Sequence, residues 1–264
     1  MCSLHLFVLI AVGLLAPIQS FVTSRPSIGA ALPESRSAEY ANDQPTALSA
    51  LGDFAVDLEK PLGIILEERG AGGGVYVKSI NTEGSAASSN IVPGDVLLQV
   101  DDTRVDDWEF DRVMEHLIDA PPSVHLVLGD GLGQLNMPKN VVSTLQSTED
   151  AYFVDAVVRQ AVRELRRDGR LGDVLQVEVV VGAGVQESGT RGLCRFFALF
   201  STDGGITTYS CNCSATGIRK RQPSSDDGVD HSAADIEIVY LSCAKDEGLG
   251  QTVDLIQKEQ NVDK

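Results

Sequence analysis

Five short strand-like runs and a single amphipathic helix are packed between Leu51 and Gly129, and this crowding constrains the fold more than any other feature of the chain. Asp53–Glu59 alternates apolar and polar residues. Gly63–Glu68, Gly74–Ile80, Asp95–Val100 and Ser123–Leu128 follow at close intervals, the pattern of half-buried strands joined by tight turns. Between the last two, Phe110, Val113, Met114 and Leu117 recur at i, i+3, i+4 and i+7, which makes one apolar helical face that stops at Pro121-Pro122. The first two strands meet abruptly at Lys60-Pro61-Leu62-Gly63-Ile64, where Gly63 permits unusual φ and close backbone approach.

The order of these pieces is informative. Pro61-Leu-Gly-Ile, then Gly74-Val-Tyr-Val, then Gly84-Ser-Ala-Ala, then Ile91-Val-Pro-Gly-Asp-Val-Leu-Leu-Gln-Val-Asp-Asp, then the helix and Val124-His-Leu-Val-Leu together resemble a PDZ domain. The resemblance implies a PDZ-like, partly open β-barrel with flanking helices. It implies that Lys60, Pro61, Leu62, Gly63 and Ile64 form a carboxylate-binding loop, with the N–H groups of Leu62, Gly63 and Ile64 as donors. The peptide groove would run between Leu62, Ile64 and Leu66 on one side and Phe110, Met114 and Leu117 on the other. The family more often has Gly where Pro61 stands; that position is not an expected donor, so proline stiffens the loop without disabling it. In the family a His at the place of Phe110 selects a hydroxyl residue two before the ligand's end, so Phe110 implies an apolar preference there. Lys60 either adds attraction for an anion or is simply solvated.

Beyond this region, residues 132–146 lack strong periodicity and read as a linker. Ser147-Thr-Glu-Asp150 fits a capping box before a helix over 151–167, whose Phe153/Val154, Val157/Val158, Ala161/Val162 and Leu165 repeat at helical spacing and whose stop is Gly169. Runs at 175–181, 193–201, 205–213 and 236–243 then read as four antiparallel strands, since most connections are too short for crossover helices. The expected class is therefore α+β throughout: a PDZ-like domain over 47–131 and, over 147–264, a helix on an antiparallel sheet that resembles no family.

The N-terminal end reads differently. Leu6–Leu15 is almost wholly apolar and ends before Ser20, as in a signal peptide over 1–20. Residues 21–46 open with Phe21-Val-Thr-Ser-Arg-Pro-Ser and hold no acid before Glu34, a transit-peptide trait. The pair resembles the bipartite presequence of algal proteins bound for secondary plastids, which implies plastid targeting to stroma or lumen; a secreted or endomembrane protein is the alternative. The mature chain holds no apolar run that would serve as a transmembrane helix.

Charge and residue counts narrow the chemistry. With 38 acidic against 21 basic residues and a formal charge of -17, the chain is a poor partner for nucleic acid. Arg219-Lys220-Arg221 is followed by Asp226-Asp227 and reads as a solvated loop. His116, His125 and His231 supply no well-placed base for a Ser or Cys nucleophile, so no enzymatic activity and no cofactor are expected. Gly72-Gly73-Gly74 and Gly182-Ala-Gly184 read as hairpin turns, and Asp101-Asp102 as a turn. Cys194, Cys211, Cys213 and Cys243 leave three readings open: buried thiols, two disulfides, or a metal site whose spacing is wrong for a zinc ribbon. The function expected is an adaptor, assembly factor or complex-associated subunit that binds a protein C-terminus or extended peptide with apolar residues, on a photosynthetic membrane complex or a protease. A regulatory or substrate-binding subunit of a plastid protease, and a redox or metal protein acting through the cysteines, are the alternatives.

Overall fold

The alternating runs pair as strands because each has one apolar face to bury. A computed structural model describes residues 52–70, 73–186, 188–220, 236–245 and 252–258; the expected signal and transit segments lie outside these. The first sheet holds β1 (Phe54–Glu59), β2 (Ile64–Glu68), β3 (Val75–Ile80), β4 (Val96–Val100), the two-residue β5 (Thr103–Arg104) and β6 (Ser123–Gly129). Its order is β1-β6-β4-β3-β2, every pairing is antiparallel, and β5 is joined to β4. The sheet is open, with β1 and β2 at its edges. Helix α1 (Phe110–Asp119) buries Val113 and Leu117 against Val75, Val77, Val100, Leu126 and neighbouring residues. A 3-10 turn at Ser85–Ser88, missed by periodicity because it is a single turn, lies beside the 60–64 loop.

The second domain begins with α3 (Thr148–Asp168), which follows the short α2 (Lys139–Val142). Ser147 caps α3 as expected: its hydroxyl oxygen accepts from the Asp150 N–H, and Gly169 ends the helix in the left-handed region at φ 65°. Five strands follow as a meander, β7 (Asp173–Val185), β8 (Arg191–Ser201), β9 (Thr208–Arg219), β10 (Ile236–Lys245) and β11 (Thr252–Gln257). The sheet is antiparallel, as expected, with one strand more than the sequence announced. Phe153, Val154, Val157, Val158, Ala161, Val162 and Leu165 are buried against it. At Gly217 the helix presses so close that a Cβ would meet Val157 at 2.8 Å.

Two local readings change. Gly182 and Gly184 lie inside β7, not in a turn; the register with β8 shifts between Val180 and Gly182, so the first marks a bulge. Arg219 ends β9, pairs with Glu149 at 2.8 Å and lies over the Phe153 ring. The 132–146 stretch connects the domains as a packed strap. Leu135 and Val141 are buried in the second core, and the Val180 N–H donates to the Asn136 carbonyl at 2.9 Å, so the strap covers the free edge of β7.

The charged face of α3 is buried as well, against the first domain. Arg163 donates to Asp95 at 2.9 Å and to the Asn90 carbonyl, and its guanidinium lies over the Phe54 ring. Arg159 donates to Asp130 at 2.7 Å, to Asp155 at 2.8 Å and to the Gly133 carbonyl at 2.7 Å; Arg166 donates to the Asp130 carbonyl. Asp95 is wholly inaccessible and Arg163 is 8% exposed. Burial pushes the Asp95 carboxyl up, against the pull of Arg163, the Val92 N–H and Arg166. The ion pairs therefore fix the register of the two domains, while apolar burial, at about 1.5–3 kcal/mol per large side chain, supplies the stability.

Candidate functional site

The turn between β1 and β2 is shaped by one close approach. Gly63 sits at φ 71°, and a Cβ there would lie 2.5 Å from the Gly84 Cα. The loop is pinned against the 3-10 turn through its carbonyls: Pro61 accepts from the Ser85 N–H at 3.1 Å, Leu62 from Ala86 at 3.0 Å and Gly63 from Asn81 at 2.7 Å. Among the described peptide bonds only Lys60–Pro61 is cis, so the next three are trans. In a trans peptide plane the C=O of one residue and the N–H of the next point in opposite directions. With the three carbonyls fixed toward 81–86, the N–H groups of Leu62, Gly63 and Ile64 are turned to the other side. Such a row of donors is a concavity for an anion that requires no charged side chain.

Next to the loop lies a cavity of about 310 Å³. Leu62, Ile64 and Leu66 form one wall, Met114, Leu117 and Ile118 the other, and Val77, Leu97, Leu126 and Leu128 the floor. Lys60 and Pro61 close one end. Of the expected groove residues, Leu62, Ile64, Leu66, Met114 and Leu117 thus come together. Phe110 does not line the cavity; it packs on the domain core one helical turn before Met114, on the same face of α1. Ile118 was missed, although its spacing of four from Met114 was the available signal; it is 71% exposed and forms the lip.

Lys60 follows neither sequence reading. Its ammonium donates to the Ile118 carbonyl at 3.0 Å and the Ala120 carbonyl at 2.6 Å. It caps the C-terminal end of α1, where orphan carbonyls and the helix dipole favour a cation, and so ties the loop to the opposite wall.

β2 ends the sheet, so among the described residues no strand neighbours its outer edge. Because Asn81 pairs with Gly63, strand alternation turns the Ile64 backbone groups outward. The inner side is held to β3 by Glu67, which accepts from Lys78 at 2.8 Å and from the Tyr76 hydroxyl. Lys78 first, then Tyr76, hold the Glu67 carboxyl below its ordinary range, and burial followed by Glu67 pushes the Tyr76 phenol up to about 12.

Cys194, Cys211, Cys213 and Cys243, the cysteines of the second domain, face its interior, and no disulfide joins them. Cys213 and Cys243 are cross-strand partners with sulfurs 2.9 Å apart. Burial pushes the Cys194 thiol up to about 12; the Cys243 hydrogen bond and burial push Cys213 up. Thiols so placed are poor nucleophiles. Among the described residues no three His, Cys, Asp or Glu side chains gather as a metal site, and no helix is long and apolar enough to cross a membrane.

Comparison with known proteins bears on the first domain. Residues 55–129 match the PDZ domain family model. No curated protein matches the chain. Similar solved structures include the second PDZ domain of Dlg1 from the choanoflagellate Monosiga brevicollis, 20% identical, covering 29% of this chain and 90% of that one at a TM-score of 0.28. A PDZ domain from choanoflagellate GIPC bound to a B1AR peptide is 19% identical, with 30% and 89% covered and a TM-score of 0.28. The third PDZ domain of INAD, in complex with a TRP channel tail, is 20% identical, with 29% and 84% covered and a TM-score of 0.27. Residues 55–129 of this chain are a PDZ domain.

Proposed function

We propose that the chain is a non-enzymatic adaptor, assembly factor or complex-associated subunit whose PDZ domain receives the C-terminus of a partner. The observation that carries this reading is the pairing of two features: three N–H groups turned to one side by their pinned carbonyls, and an apolar cavity directly beside them. A terminal carboxylate occupies the donors and the last side chain enters the cavity. The preceding residues add to the open edge of β2 as a further antiparallel strand, with main-chain hydrogen bonds giving affinity and side-chain contacts selectivity. Apolar ligand residues are favoured because the cavity's walls are aliphatic, and Phe110, one turn before Met114 on the same helical face, offers no acceptor. Binding is of micromolar strength, about -7 to -8 kcal/mol.

The test is titration of the full chain with a synthetic peptide ending in Leu as the free acid and as the amide. The free acid binds and the amide is weaker by about tenfold or more, as expected when a charge-assisted hydrogen-bonding partner is lost. Equal binding of both removes the carboxylate from the reading.

The setting we propose is a secondary plastid, on the strength of the presequence-like residues 1–46, with a photosynthetic membrane complex as the partner's home. Copurification of a peptidase instead would make the chain a protease subunit. A reporter fused behind residues 1–46 that stays in the endomembrane system would remove the plastid assignment.

A further inference from the structure

The ligand's direction along the groove follows from where its end is held. With the carboxylate at Leu62–Ile64, a peptide added to β2 runs antiparallel to it, and its upstream residues travel from Ile64 toward Glu68, about 13 Å at the rise of a strand. Leu66 lines the cavity, and the register from Leu66 to Glu68 is unbroken, so Glu68 returns to the groove side. Glu68 pairs with Val75, and the N–H of the adjoining Gly74 donates to the Trp108 carbonyl at 2.8 Å, so the start of α1 lies beside it; there Glu109 is the N-cap residue and Asp111 stands one turn before the cavity-lining Met114. All three carboxylates belong to exposed residues.

The basic side chains near this end are turned elsewhere. Lys78 pairs with Glu67 and Arg104 with Asp106. Arg112 lies over the Trp108 ring, and Arg69 lines a separate cavity with Asp53 and Asp130. The groove therefore grades from aliphatic at its carboxylate end to negative at its upstream end.

We propose that the occupant of this groove is a protein C-terminus with an apolar last residue and basic residues four and five places upstream of it. The inference rests on the carboxylate-groove reading, and its test separates the two. The full chain is titrated with a Leu-ended octapeptide carrying two lysines at those upstream places, with the same peptide carrying two glutamates, and with the amide of the lysine peptide. The lysine peptide binds about tenfold tighter than the glutamate peptide, given about two- to fivefold for each exposed charge pair, and the gap shrinks at high salt. Combining Glu68→Gln, Glu109→Gln and Asp111→Asn narrows it to about twofold. Equal binding of the lysine and glutamate peptides, with the amide weaker, overturns the charge preference and leaves the groove reading standing. An undiminished gap in the triple variant also overturns the preference. Equal binding of acid and amide overturns both.

Discussion

The two sides of the PDZ domain treat their polar groups in opposite ways. At the seam with α3, Asp95, Asp130, Arg159 and Arg163 are buried and mutually satisfied. At the groove, donors and apolar walls stand beside an edge strand along which, among the described residues, no further strand is laid. The seam is closed chemistry: each charge has a partner from the other domain, so its use is to hold one arrangement. The groove is open chemistry: among the described residues nothing completes it, and on the proposed reading a second chain does. Perturbing the first should cost stability, and perturbing the second should cost binding.

The largest effect is expected at the seam. Asp95→Ala leaves the Arg163 guanidinium buried without its carboxylate, which costs about 3–5 kcal/mol, a large share of the 5–15 kcal/mol typical of a domain. Chemical denaturation of the full chain reads it as a lower midpoint. Adding Arg163→Met removes the stranded charge, so the double variant should recover part of the loss. A cost below about 1 kcal/mol for Asp95→Ala would mean that the seam is not closed and would break the contrast.

Gly63→Ala sharpens the other half. Its φ of 71° disfavours any side chain, and the new Cβ would press on the Gly84 Cα at 2.5 Å, so the loop must move off the 3-10 turn. The strain costs about 1–3 kcal/mol, while peptide binding falls by about tenfold or more because the three N–H groups lose their common direction. Gly133→Ala is the matched control: φ is 62° there, but no atom lies within 4 Å of the added Cβ. It should lose stability through φ and through any shift of its carbonyl from Arg159, and keep peptide affinity; an equal loss of affinity in both variants would show that the Gly63–Gly84 contact does not aim the donors.

How legible each side was in the sequence follows from the same contrast. The groove could be read because it is made of local patterns: strand alternation brought Leu62, Ile64 and Leu66 to one face, and helical spacing brought Met114 and Leu117 to another. Ile118 continues that stripe four residues after Met114 and was passed over beside Leu117, while Phe110, one turn before Met114, packs on the core just beyond the cavity's lining. The seam could not be read. Asp155, Arg159, Arg163 and Arg166 share helical spacing, and on an isolated helix such a stripe faces water. Only the folded first domain, with Asp95 and Asp130 offered from loops and strand ends, makes it an interior. The fifth strand of the second sheet was hidden for a related reason: Thr252–Gln257 is short and mixed in polarity, and pairing with β10 defines it.

The smallest effect tests the residue that joins the two walls of the groove. Lys60→Met keeps the aliphatic stem but removes the ammonium from the Ile118 and Ala120 carbonyls. The helix end then loses its cation, worth about 0.3–1 kcal/mol, and the lip formed by Ile118 loosens from the loop. Affinity for a Leu-ended free-acid peptide should fall a few-fold. The ratio between free acid and amide should stay as it was, because the donors to the carboxylate are backbone groups that the substitution does not touch. That ratio is the decisive reading. If Lys60→Met collapses it, the ammonium reaches the ligand's carboxylate directly, and the loop takes its charge from a side chain; if the ratio holds, Lys60 sets the width of the groove and the main chain alone recognises the chain end.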